Sequence, residues 1–209
     1  YRPSFLFYLV CTPCTPMFPF PKSLYAVEDT LRFYVGSKKD ALIVDFFSGS
    51  GTTLHAVNLL NTEDGGRRRC VMVTNNEVSE AEIKSLTKKG LHPGDEEWES
   101  FGIARYITWP RTVCAIEGHD TNGVPLKGDY LGVDRPMSAG FPANAAFFKL
   151  CFLDKTSVAL GRQFRELLPV LWMKGGAIGK CPALENDDLP NMLILPQNKM
   201  AVLVDEIYY

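Results

Sequence analysis

Between Ala41 and Asn61 an apolar run, "ALIVDFF", stops at "SGSG" and resumes as "TTLHAVNLLN" with helical spacing. A strand that hands over to a helix through two glycines has few ways to do so. Either the chain turns sharply, or some group approaches Gly49 and Gly51 more closely than a Cβ would allow. The run before the turn is continuous, as in a parallel strand buried on both faces. "CVMVTNN", from Cys70, reads as a second such strand, and "TEDGGRRR" between the two as a polar turn in which the arginines are solvated. Strand, glycine turn, helix and strand in this order form a βαβ unit. The expected fold class is α/β.

The flanking segments are consistent with that class. "SLYAVEDTLRFYV" places Leu24, Val27, Leu31 and Val35 at helical spacing behind Ser23 as cap, and Gly36 is placed to end it. "SEAEIKSLTKKG" is expected to form a helix from Ser79 to Gly90. "DEEWESFGIARYITWPR" is read as a helix that runs into an extended piece at Pro110, and "GHDTNGVPLKGDYLG" as a surface loop. In the last third, "NAAFFKLCFLD" and "MLILPQNKMAVLVDE" read as strands and "SVALGRQFRELLPVLW" as a helix, a small α+β extension.

Composition narrows the function classes. The 209 residues suffice for one sizeable core, with or without a small appendage. A net charge of −2 gives the surface no general attraction for phosphates and counts against autonomous nucleic-acid binding. No apolar run reaches the roughly 18 residues of a membrane span, and Pro3, Pro13, Pro16 and Pro19 break the apolar N-terminus. The six cysteines are scattered, and Cys11 and Cys14 have no second pair or nearby His to complete a zinc site. A reduced, cytoplasmic chain is expected, and a start at Tyr1 rather than Met reads as a fragment.

In a parallel α/β sheet, ligands bind beyond the carboxyl ends of the strands. Three ligand classes suit this turn. A P-loop ends in Lys-Ser or Lys-Thr, whereas here Gly51-Thr52-Thr53 holds no lysine. A dinucleotide site takes a third glycine, where Leu54 stands. S-adenosylmethionine needs the turn and an acid at the end of the next strand, where a carboxylate accepts from the ribose hydroxyls. Glu77 is read as that acid. The competing readings are a plain tight turn for the glycines and a surface acid for Glu77.

"FPFPKS" from Phe18 to Ser23, a helix, and then "DFFSGSGTT" resemble the adenine-specific DNA methyltransferases whose cofactor motifs come late in the chain, such as the modification subunits of type III restriction systems. The resemblance runs from about Phe18 to the end. It implies a Rossmann-like S-adenosylmethionine-binding fold and a pocket formed by Lys22, Ser23, Asp45, Phe47, Gly49, Ser50, Gly51, Thr52 and Glu77. It further implies methyl transfer to adenine N6 in DNA by the intact enzyme, with DNA and in some systems a restriction subunit as partners. Three segments are expected: an irregular stretch at 1–17 that does not resemble the family, a cofactor-binding portion at 18–117 and an extension at 118–209. The family's Asp-Pro-Pro-Tyr element, which holds the flipped base, is not in these residues, and "TWPR" and "DRPM" do not replace it. The chain alone is therefore expected to be inactive. Alternative readings are a methyltransferase acting on cytosine N4 or on RNA, and a degenerate remnant without enzymatic activity.

Overall fold

A computed structural model describes residues 22–150, 152–159, 163–184 and 189–204. The expected irregular segment at 1–17, the first four residues of "FPFPKS" and Cys11 and Cys14 lie outside the described residues. Packing divides the chain into two units that meet between Ala145 and Ala146.

In the first unit, α1 (Leu24–Val35) follows Ser23, whose backbone is extended, and its half-buried face carries Leu24, Val27, Leu31 and Val35. β1 (Leu42–Asp45) passes through the glycine turn into α2 (Thr52–Asp64), and β2 (Arg69–Met72) returns parallel to β1, with Asp45 opposite Met72. The expected βαβ unit is thus present. β1 is not buried on both faces, however. Leu42 and Val44 are exposed, as are Val71 and Val73 beside them, while Ile43, Cys70 and Met72 are half-buried. The reason is that β1 and β2 form a two-stranded sheet among the described residues, so helices cover only one of its faces.

α3 (Glu80–Lys88) is capped by Ser79, whose hydroxyl accepts from the Glu82 N–H. α4 (Glu96–Ser100) is short, and a π-helical turn at Ala104–Thr108 leads into α5 (Trp109–Glu117). The extended piece expected at Pro110 is therefore helix. Pro110 stands where the π-helical turn passes into α5, with Thr108 and Trp109 before it already helical. The turn-rich segment that follows does more than cover surface. Its Tyr130, with Met137 and Phe141 just beyond it, forms the core with Leu59 of α2 and Ala115 of α5. This is why the first unit continues to Ala145, past the 117/118 position where the extension was expected to start.

Two buried charges hold the rim of the first unit. Arg68, expected in a solvated turn, is buried. It donates to the Val35 and Gly36 carbonyls, to Asp64 and to Asn61. A guanidinium carries enough donors to close the carbonyl end of α1 while pairing with an acid, and this holds the Asp64 carboxyl below its usual range. Glu28 is also buried, against Arg32 and beside Glu63. Burial, followed by the charge and hydrogen bond of Glu63, pushes its carboxyl up to about 7.

The second unit contains α6 (Lys155–Ala159), α7 (Phe164–Lys174) and an antiparallel hairpin of β3 (Met192–Leu195) and β4 (Met200–Leu203). Phe164, Leu168 and Trp172 form the buried stripe of α7, and the Trp172 indole N–H donates to the Ile178 carbonyl. The expected strand in "NAAFFKLCFLD" is not formed among the described residues. Its Leu150 and Phe152 are exposed, and an apolar run without a neighbouring strand has no ladder to join.

Leu59 is fully buried at the centre of the first core, so Leu59→Ala should cost about 2–5 kcal/mol, read as a fall in urea midpoint. Glu28 gives a pH dependence. A carboxyl raised in the folded state contributes stability that is present below its ordinary value of 4.5 and lost as pH rises through about 7. The thermal midpoint should therefore fall between pH 5 and pH 8, and Glu28→Gln should flatten that slope.

Candidate functional site

The turn from β1 to α2 is built by side chains at both of its ends. Asp45, the last residue of β1, accepts the Phe47 N–H at 3.1 Å and the Thr53 hydroxyl at 2.6 Å, one through each carboxylate oxygen. It thereby ties the strand end to the first turn of the helix and orients the loop rather than offering a free carboxylate. Within the loop the Gly51 N–H donates to the Ser48 carbonyl at 2.9 Å, and the Ser50 and Thr52 hydroxyls are 3.3 Å apart. Gly49 and Gly51 have φ of 49° and 79°, in the left-handed region that favours glycine. The Ser48 N–H donates to the Val73 carbonyl, which joins the loop to the segment leaving β2.

The group that crowds Gly51 belongs to the protein itself. A Cβ at Gly51 would lie 3.0 Å from the Thr108 methyl. The Thr108 hydroxyl donates to the Gly49 carbonyl, and Arg111 donates to the Ser50 carbonyl at 3.0 Å. Behind the turn, His55 and the Tyr130 hydroxyl are hydrogen-bonded at 2.8 Å, and the His55 ring stands edge-on to those of Tyr130 and Phe141. Burial, with the Arg111 charge adding to it, pulls the His55 imidazole down to about 3. His55 is thus neutral at ordinary pH and structural.

The other expected site residues lie as follows. Ser50 and Thr52 are buried and Gly51 is packed, whereas the Phe47 ring is 90% exposed. Glu77 is exposed on the connection to α3, five residues beyond the end of β2 at Met72, and accepts from the Asn75 side-chain amide at 3.2 Å. Parallel pairing sends the turn and the 73–77 segment away from the same edge of the sheet. Lys22 and Ser23 are exposed at the start of α1. Leu24 and Tyr25 pack by the cluster of Leu59, while Arg32 reaches Glu63, so α1 and α2 run in the same direction. The start of α1 therefore lies toward the glycine-turn end of α2.

Thr108 and Arg111 were not identified from the sequence as part of this site. The structure gives Arg111, in "TWPR", a contact within the protein, on the Ser50 carbonyl. The usable signal was the three-residue spacing of Thr108 and Arg111, which places both on one helical face. No group of three or more His, Cys, Asp or Glu residues among the described residues could hold a metal ion, and no helix among them is long and apolar enough to cross a membrane.

No family model matches the chain. Among curated proteins, 62 residues are 42% identical to the type III restriction-modification enzyme EcoPI Mod subunit of Escherichia phage P1, covering 30% of this chain and 9% of that protein. Sixty residues are 43% identical to the type II methyltransferase M.KpnI of Klebsiella pneumoniae, covering 29% of this chain and 14% of that one. The type III StyLTI Mod subunit of Salmonella typhimurium is 41% identical over 58 residues, 28% of this chain and 9% of its own length. The resemblance inferred from the motifs is borne out at this level, and the chain carries a stretch of a methyltransferase of this kind. The matched stretches span about a seventh or less of these relatives.

Gly51→Ala would place a Cβ in left-handed backbone and against Thr108. Calorimetry should show a loss of about 1–2 kcal/mol from the backbone alone, while Gly65→Ala, which also has positive φ but meets no atom within 4 Å, isolates that backbone part.

Proposed function

We propose that this chain is the S-adenosylmethionine-binding portion of a cytoplasmic, site-specific DNA methyltransferase whose intact form methylates adenine N6. The observation that carries the reading is a glycine turn opening a helix at the carboxyl end of a parallel strand pair, on the edge from which an exposed carboxylate, Glu77, also leaves. The Rossmann-like fold is part of the proposal, since two parallel strands and a crossover helix are its repeating unit. The type III Mod subunits among the relatives support it, with DNA as substrate and a restriction subunit as partner of the intact protein.

The residues present fit the cofactor. The first turn of α2 supplies backbone N–H groups without intrahelical partners, and the glycines keep side chains away from them. Glu77 is the acceptor for the ribose hydroxyls. The exposed face of Phe47 suits a sulfonium-bearing group, because a positive charge is attracted to an aromatic ring. Lys22, at the start of α1, is the partner for the methionine carboxylate, with Ser23 beside it. Asp45 keeps Thr53 and the loop in register. When bound, S-adenosylmethionine supplies the methyl group as an electrophile; the residues named here bind and orient it. The base-holding Asp-Pro-Pro-Tyr element is not in the 209 residues, so binding without methyl transfer is the expected behaviour of this chain alone.

Titration calorimetry of S-adenosylhomocysteine into the chain should show saturable binding. Glu77→Ala should weaken it by about 2 kcal/mol, roughly thirtyfold, through loss of charge-assisted hydrogen bonds. No heat of binding to a demonstrably folded chain would overturn the reading and favour the non-enzymatic remnant.

A further inference from the structure

α5 supplies Ala115 to the core, and the residues where the π-helical turn Ala104–Thr108 passes into α5 are directed at the glycine turn. Thr108, Arg111 and Thr112 follow one another at helical spacing and share a face. Thr108 is buried, with its hydroxyl on the Gly49 carbonyl and its methyl 3.0 Å from where a Gly51 Cβ would stand. Arg111 holds the next carbonyl, that of Ser50, at 3.0 Å. The Thr112 hydroxyl lies 3.7 Å from the same Gly51 position and donates to the Thr108 carbonyl at 2.9 Å.

We propose that Thr108 and Arg111 are positioning residues of the glycine turn, anchoring its carbonyls from behind so that the Ser50 N–H stays presented to an adenosine-bearing cofactor while the Gly51 N–H closes the turn on the Ser48 carbonyl; this rests on the reading given under Proposed function. A trans peptide carries its N–H opposite its C=O. A Gly49 carbonyl held by Thr108 therefore directs the Ser50 N–H away from α5. A Ser50 carbonyl held by Arg111 likewise turns the Gly51 N–H to the other side, where the Ser48 carbonyl receives it. Two glycines in a four-residue loop would otherwise have to be ordered by the ligand, and ordering a flexible loop is subtracted from affinity. Threonine suits the position because one branch supplies the donor and the other closes the space that glycine leaves.

The test combines ligand-free amide hydrogen exchange with calorimetric titration of S-adenosylhomocysteine, both on the full 209-residue chain. Thr108→Val keeps the shape and removes the donor, whereas Thr108→Ser keeps the donor. Arg111→Met removes the second anchor. Thr108→Val and Arg111→Met should each speed exchange at residues 49–52 about tenfold, the equivalent of one hydrogen bond, and weaken binding by a similar factor. Exchange in α1 and β2 should stay at wild-type rates, and Thr108→Ser should restore both the loop exchange and the affinity. Unchanged loop exchange in the two anchor variants would overturn the proposal, and so would faster loop exchange with unchanged affinity. A uniform rise across the first unit that Thr108→Ser does not rescue would reduce the contact to general stability and overturn it as well. A wild-type chain that takes up no S-adenosylhomocysteine would overturn the cofactor reading instead, and the ligand-free exchange rates would still decide whether the anchors hold the turn.

Discussion

One residue, Thr108, touches the β1–α2 junction twice, through a hydrogen bond to the Gly49 carbonyl and through its methyl group against Gly51. The rest of the first unit is organised around that junction. Asp45 grips it from the strand side by holding Thr53, and Arg111 takes the remaining inward carbonyl. With the loop held at both ends, α2 leaves the sheet in one direction and brings Leu59 to the core that Ala115, Tyr130, Met137 and Phe141 complete. The sharp turn and the close approach are two aspects of one contact, and the approaching group is part of the protein.

The same unit gives most of its buried polar groups partners, the buried Ser48 hydroxyl in the glycine turn being left without one. Arg68 closes the end of α1 and pairs with Asp64, His55 stays neutral against the Tyr130 hydroxyl, and Glu28 shares its site with Arg32 and Glu63. In contrast, the apolar residues Leu42, Val44, Val71 and Val73 lie open on one sheet face. Burying them would be favourable by about 25 cal/mol per Å². The described residues anchor the carbonyls of Gly49 and Ser50, leave the Ser48 hydroxyl without a partner, and cover the sheet on one side.

The comparisons and the geometry support the function from different directions. Identity of just over 40% across about 60 residues ties the chain to Mod subunits and to a type II methyltransferase. The structure adds which side chains are exposed and what they hold. Phe47 is exposed, Glu77 is exposed and accepts the Asn75 side-chain amide through one oxygen, and Asp45 is engaged in holding the loop.

Local pattern was enough for the elements whose signals are local. The spacing in "SLYAVEDTLRFYV" marked α1, Ser79 marked the cap of α3, and "ALIVDFF" followed by "SGSGTT" marked strand, turn and helix. The glycines could be read because positive φ excludes most other residues. The sequence by itself therefore determined the βαβ unit and the resemblance to a methyltransferase cofactor loop. Only the tertiary structure decided that β1 is open on one face, that Pro110 lies in a helix, that Arg68 is buried and that "NAAFFKLCFLD" forms no strand among the described residues. It also decided that Thr108 and Arg111 grip the loop from about 60 residues away along the chain. The physical reason is the same in each case. Burial, ladder pairing and side-chain anchoring depend on which distant segment arrives beside a residue, and neither periodicity nor propensity encodes that neighbour.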